Sequence, residues 1–185
     1  MLKKINKSIE NPKIEYGYGL TLDRHYFELE QINDKRVDVP KDKKEEYQRK
    51  GLLMLGHSHP FGESPLGSAK DMGTYTAYSS RIGLSFNENG IFLVLNKKYK
   101  RNKHKANDIK KDVSDIIEVM IEDFEKNKFK DESEINSLIE NDKDKYDAML
   151  HEYVIKNYSR YINQYNQKLN KYGIKVIFIN FKKYI

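Results

Sequence analysis

The chain has 185 residues, 34 Lys and Arg against 28 Asp and Glu (net charge +6), 38% apolar residues and no cysteine. The missing cysteine excludes a thiol nucleophile, disulfides and thiolate zinc sites, and 12% aromatic residues set the chain apart from disordered sequences. Basic and acidic residues interleave as on a solvated surface, which argues against a nucleic-acid face, and no apolar stretch approaches a membrane span.

Residues 13–22, KIEYGYGLTL, alternate. Ile14, Tyr16, Tyr18, Leu20 and Leu22 share one strand face, while Glu15, Gly17 and Gly19 share the other. Asp23-Arg24 predicts a turn into a second strand, HYFELEQI, followed by a polar loop through Pro40 and a charged, helical stretch over 41–50. Gly51 to Gly56 is a short apolar run ending at His57, the pattern of a buried strand. A short helix is expected from Asp71 to about Ser79. Arg81–Phe86 and Ile91–Asn96 then form a hairpin around Asn87-Glu88-Asn89-Gly90.

Beyond residue 105 the pattern is helical. Ile109, Val113, Ile116, Ile117, Met120 and Phe124 mark one helix face, and a second helix covers about 133–140. A third, 144–172, carries a stripe of Val154, Tyr158, Tyr161, Tyr165, Leu169 and Tyr172. That stripe suits core packing, with a partner surface as the alternative. Gly173 caps this helix, and IKVIFINF closes the chain as a strand. The basic run 97–105 reads as an exposed connector, with an anionic-partner patch as its rival. The expected fold class is α+β (mixed α/β), one domain over 1–185 with a core at about 10–100 and a helical extension with a final strand at about 106–185.

The chemistry concentrates in His57-Ser58-His59-Pro60 and Ser68-Ala69-Lys70-Asp71. Imidazoles at i and i+2 on an extended backbone point the same way and can reach one ion. Asp71 supplies an anionic third ligand, and two His, one carboxylate and a water make an open, catalytic type of metal site. Taken alone, Ser68-x-x-Asp71 is also close to a helix capping box. The two roles can coexist.

The stretch GHSHPFGESPLGSAKDM resembles the signature of the JAMM metallopeptidases, or MPN-domain family: His-x-His-Pro, a short loop, then Ser-x-x-Asp. Pro60 to Gly67 makes that loop one residue longer than the family's. The resemblance implies an MPN-like core of a curved sheet with flanking helices, and one zinc ion per chain on His57, His59 and Asp71. It implies hydrolysis of peptide or isopeptide bonds, often in ubiquitin-like protein conjugates. It also implies a glutamate just before glycines on an upstream strand as general base, which Glu15-Tyr16-Gly17-Tyr18-Gly19 matches. The residues agree, since Gly17 and Gly19 would leave room beside Glu15 for substrate or the metal loop. Glu28, Glu30, Glu45, Glu46 and Glu63 are weaker candidates. Ser68 would steady the water or the oxyanion. His25, His104 and His151 have no partner at ligand spacing.

Other readings stay open: a JAMM-like toxin or phage-associated peptidase with a different substrate, or a non-catalytic MPN scaffold. The N-terminal MLKKINKSIENPK lacks the apolar centre of a signal peptide, so the expected compartment is the cytoplasm.

Overall fold

The computed structural model describes residues 11, 13–34, 36–60 and 63–181. Most of the N-terminal stretch read for a signal peptide, and Phe61 and Gly62 of the motif loop, lie outside them. The strands are β1 (Gly17–Thr21), β2 (Tyr26–Glu28), β3 (Glu30–Asn33), β4 (Arg36–Asp38), β5 (Leu52–Ser58), β6 (Ile82–Asn87), β7 (Gly90–Asn96) and β8 (Ile174–Asn180). The helices are α1 (Lys44–Lys50), α2 (Ala69–Ala77), α3 (Tyr99–Asn102), α4 (Ala106–Lys128), α5 (Glu132–Asn141), α6 (Lys143–Lys156) and α7 (Tyr158–Leu169). The class is mixed α+β, and among the described residues no helix is long and apolar enough to cross a membrane.

Six strands form one sheet in the order β2-β1-β5-β6-β7-β8, and β3 pairs with β4 in a separate hairpin. β5 and β6 run parallel, and the other sheet neighbours are antiparallel. A parallel pair needs a crossover, here α2. That crossover returns the helix N-terminus to the carboxyl end of β5, the side on which open α/β sheets commonly bind ligands.

Register fixes which side chains share a face. Leu55 aligns with Gly83, Val94 and Val176, and His57 with Ser85, Phe92 and Phe178. This face is covered by helices: α2 packs on α4, and α7 on β8. The core is one continuous cluster in which Leu55 and Phe92 from the sheet join Met72, Ile109 and Val113 with Tyr161, Tyr165 and Leu169. The helical extension therefore completes the same core as the strands. The opposite sheet face, with Leu84, Leu93 and Ile177 in register, is only half-buried.

Three expectations need correction. The strand expected over 25–32 is two. β2 pairs with β1, and at Leu29, whose N–H donates to Gly17 O (2.9 Å), the chain leaves the sheet for the β3–β4 hairpin. The space over Gly17 and Gly19 belongs to the chain itself. A Cβ on Gly17 would lie 2.4 Å from Leu29 Cδ1, and one on Gly19 2.1 Å from Phe27 Cζ, so the glycines admit those side chains and leave no substrate room.

The helix expected over 144–172 is broken. Asn157 separates α6 from α7, and its side-chain amide donates to Tyr153 O (2.9 Å), a local bond that competes with helix continuation. The stripe nevertheless faces the core: Val154, Tyr161, Tyr165, Leu169 and Tyr172 are buried, and Tyr158 packs edge-on against Phe178. In the basic run 97–105, most side chains are exposed but the backbone forms α3 and a short 3-10 turn. Asn102 is buried there, donating to Asn96 Oδ1 (2.6 Å) and Tyr172 O (2.9 Å).

Candidate metal centre

His57 is the penultimate residue of β5 and lies on its helix-covered face, and His59 follows two residues on, just past the strand. The ring nitrogens then meet: His57 Nε2 lies 2.9 Å from His59 Nε2, 3.3 Å from Asp71 Oδ1, and His59 Nε2 lies 3.6 Å from Asp71 Oδ2. These three residues form a group that could hold a metal ion, their ligand atoms all within 4.8 Å of one another. Ligand atoms about 2.05 Å from a tetrahedral ion stand roughly 3.3 Å apart, and the distance between the two imidazole nitrogens and that from each to its nearer carboxylate oxygen are of this size.

Proton counting gives a second fit. His59 Nδ1 faces the carbonyl of Ser64, which can only accept, so Nδ1 carries the proton and Nε2 presents its lone pair. His57 Nδ1 faces the Tyr75 hydroxyl at 3.4 Å. Asp71 adds carboxylate oxygens to the same point. Two imidazole nitrogens and the Asp71 carboxylate thus face one point, and a cation there would satisfy them together. Carbonyl and hydroxyl partners behind metal-binding imidazoles fix tautomer and ring orientation in just this way.

Asp71 reaches the centre because α2 begins at Ala69, earlier than its expected start. Ser68 is the N-cap of a complete capping box: the Asp71 N–H donates to Ser68 Oγ (3.1 Å) and the Ser68 N–H donates to Asp71 Oδ2 (2.8 Å). The Ser68 hydroxyl also donates to Asp71 Oδ2 (2.7 Å). Capping leaves this carboxylate facing the two imidazoles, and the helix N-terminus further favours it as an anion.

Burial alone would raise the Asp71 carboxyl. The adjacent imidazoles outweigh it and hold Asp71 well below the ordinary carboxylate range. Burial would likewise lower His59, but its contact with Asp71 leaves that imidazole above its ordinary value. Positive charge is what this pocket stabilises.

Glu15 sits at the same cleft. The β1–β5 register pairs Gly17 with His57, so Glu15, two residues earlier on that face, falls opposite His59. Its N–H donates to Asp34 O (2.7 Å), which ties it to the β3–β4 hairpin. Burial pushes the Glu15 carboxyl above its ordinary value, with His57 and His59 drawing it partway back. The cleft, of about 230 Å³, is lined by Glu15, His57, His59, Ser68 and Asp71 together with Glu63, and has Arg36 and Lys70 among its other walls. Glu63 and Asp38 are therefore further carboxylates at the site beside Glu15 and Asp71, whereas Glu28 and Glu30 are exposed and do not line it. His25 pairs with Asp23 at the surface (3.1 Å), His104 is exposed, and His151 meets Asn89 Nδ2 (2.9 Å) on α6.

The loop between the two motif halves is held carbonyl by carbonyl. Glu63 O accepts from Asn87 Nδ2 (2.6 Å), Ser64 O meets His59, Pro65 O accepts from Ser85 Oγ (2.8 Å), and Gly67 O accepts from Tyr165 OH (2.9 Å). These supports escape a reading of the sequence, apart from Tyr75. It lies four residues after Asp71 and so on the same helix face, a spacing that could have flagged it. No known protein family, no curated protein and no solved structure matches the chain. What bears on its function is the chemistry of this cleft.

Proposed function

We propose that the chain is a zinc-dependent peptidase or isopeptidase of the JAMM type, with an MPN-like core, that cleaves a protein tail or conjugate. A ubiquitin-like modifier is the substrate class that the resemblance suggests. The observation that carries this reading is the convergence of His57, His59, Asp71 and Glu15 on one cleft, from β1, β5 and α2. When zinc is held by His57, His59 and Asp71, it supplies a Lewis acid for the scissile carbonyl and lowers the pKa of water at the open position.

The chain's own residues do the rest. Glu15 accepts the proton of the attacking water on its carboxylate and delivers it to the leaving nitrogen. A carboxyl raised by burial is better matched to that task than an exposed one. Ser68 holds Asp71 in place through its hydroxyl and N–H, while the Ser64 carbonyl and Tyr75 hold the imidazoles. The scaffold alternative is weakened because the aromatic stripe it would offer to a partner is buried in the chain's own core.

The test is incubation of the purified protein, with zinc or with chelator, against a panel of ubiquitin-like fusions and unstructured peptides. Cleavage that needs zinc and falls about 10²–10⁴-fold in Glu15→Gln, with zinc retained, supports the reading. Cleavage indifferent to chelator, or none on any member of the panel, counts against it.

A further inference from the structure

A second cleft of about 350 Å³ adjoins the metal cleft, and the two share His59, Glu63 and Ser68 as walls. Its other side is built by the helical extension: Ile117 and Met120 from α4, Leu150 and Val154 from α6, with Leu66 from the motif loop. We infer that this groove is a side-chain subsite, which seats one aliphatic or aromatic side chain of a peptide whose reacting bond lies at the metal cleft. The inference rests on the peptidase reading and adds what that reading lacks, a substrate preference.

Three observations select an apolar occupant. The groove's volume is at the small end of ligand pockets, room for a large side chain with its flanking backbone and little for a large cofactor. Several of its polar groups are paired within the chain: Gly67 O accepts from Tyr165 OH, Ser64 O meets His59, Ser64 Oγ accepts from the Leu66 N–H, and His151 meets Asn89, while Glu63 lies on the wall shared with the metal cleft and Asp147 pairs with Lys143 at the exposed rim. Ile117 and Leu150 remain half-exposed, so apolar area is left for an occupant to cover. Continuity with the metal cleft makes a peptide the occupant, because a chain lying across His59 and Ser68 directs a neighbouring side chain into the groove.

The test uses the full chain with methyl-labelled methionines and blocked peptides Gly-Gly-X-Gly-Gly, where X is Leu, Phe, Ala, Gly or Asp. Binding to the metal-free protein is followed at the methyl groups, and cleavage of the same peptides is measured after zinc loading. The expected result is binding at least about tenfold tighter for Leu and Phe than for Gly or Asp, since apolar pockets discriminate by roughly 10–200-fold per methylene. The Met120 methyl should move, while that of Met54, on the far sheet face, stays still. Leu150→Asp should remove the preference, bringing kcat/KM for the Leu and Phe peptides down to that for Gly. If that variant fails to fold, the wild-type titration still decides.

Selective binding at Met120 without cleavage upholds the groove and defeats only the peptidase reading. Cleavage at equal kcat/KM for every X upholds the peptidase reading and overturns the groove. An unmoved Met120 methyl with all five peptides also overturns it.

Discussion

Two aspartates, Asp71 and Asp123, have nearly the same exposure (16% and 17% of their side chains) and carboxyls held below the ordinary range, yet their surroundings differ in kind. Asp123, on α4, accepts from Tyr153 OH (3.0 Å), Tyr161 OH (2.9 Å) and Arg160 (2.7 Å). Each partner brings its own proton, and the cluster closes on itself while tying α6 and α7 to α4. Asp71 accepts from Ser68 but also faces two imidazole nitrogens 2.9 Å apart, at least one of which presents a lone pair. A depressed carboxyl in a hydrogen-bonded network is therefore common to both. What singles out the Asp71 cluster as a group that could hold a cation is that its partners include two imidazole nitrogens, which can act as ligands, where those of Asp123 are hydroxyl and guanidinium donors.

Exchange of one substitution between the clusters sharpens this contrast most. Asp71→Asn should weaken metal binding by more than about 100-fold, since even outer-shell changes weaken metal binding by 10–100-fold, while the fold persists. Asp123→Asn should leave metal binding unchanged and destabilise the protein by about 2–3 kcal/mol, through lost charge-assisted hydrogen bonds. Calorimetric metal titration and urea unfolding of both variants test the pair. Metal loss in Asp123→Asn would dissolve the distinction.

A smaller effect is expected at Tyr165, where the two regions meet. Tyr165→Phe leaves the buried Gly67 carbonyl without its donor, which should cost about 1–2 kcal/mol and weaken metal binding by about tenfold through the loosened loop. If stability falls while metal affinity holds, the extension supports the core alone. The smallest effect on stability is at Glu15. Its folded-state carboxyl is raised above the unfolded value, so its favourable contribution is present at low pH and is lost as pH rises through the folded value. Glu15→Gln should therefore raise the Tm of the metal-free protein by about 1–3 °C at pH 8, with the gain vanishing near pH 4. Thermal scans across that range would expose a wrong sign.

Much of this centre is legible in the sequence because its geometry is local. His57 and His59 share a strand's period of two, Asp71 lies in the first turn of the helix that follows, and Glu15 is brought in by antiparallel register. The supports are not local. Tyr165 reaches Gly67 across 98 residues, and no spacing rule predicts that contact. The glycines of β1 mislead for the same reason: an absent side chain signals close approach without saying by what, and here Leu29 and Phe27 fill the space. The interruption at Asn157 lacks Gly or Pro, so only its side-chain bond to Tyr153 O reveals it. The first apolar helix face, Ile109 to Phe124, is found as expected because 3.6-residue periodicity dictates burial directly.

The most direct test of the central claim is metal analysis of the chain purified without chelator, beside a His57→Ala/His59→Ala variant of verified fold. About one zinc ion per chain in the parent and none in the variant is the predicted result. Full zinc retention by the double variant would place the metal elsewhere and contradict the account.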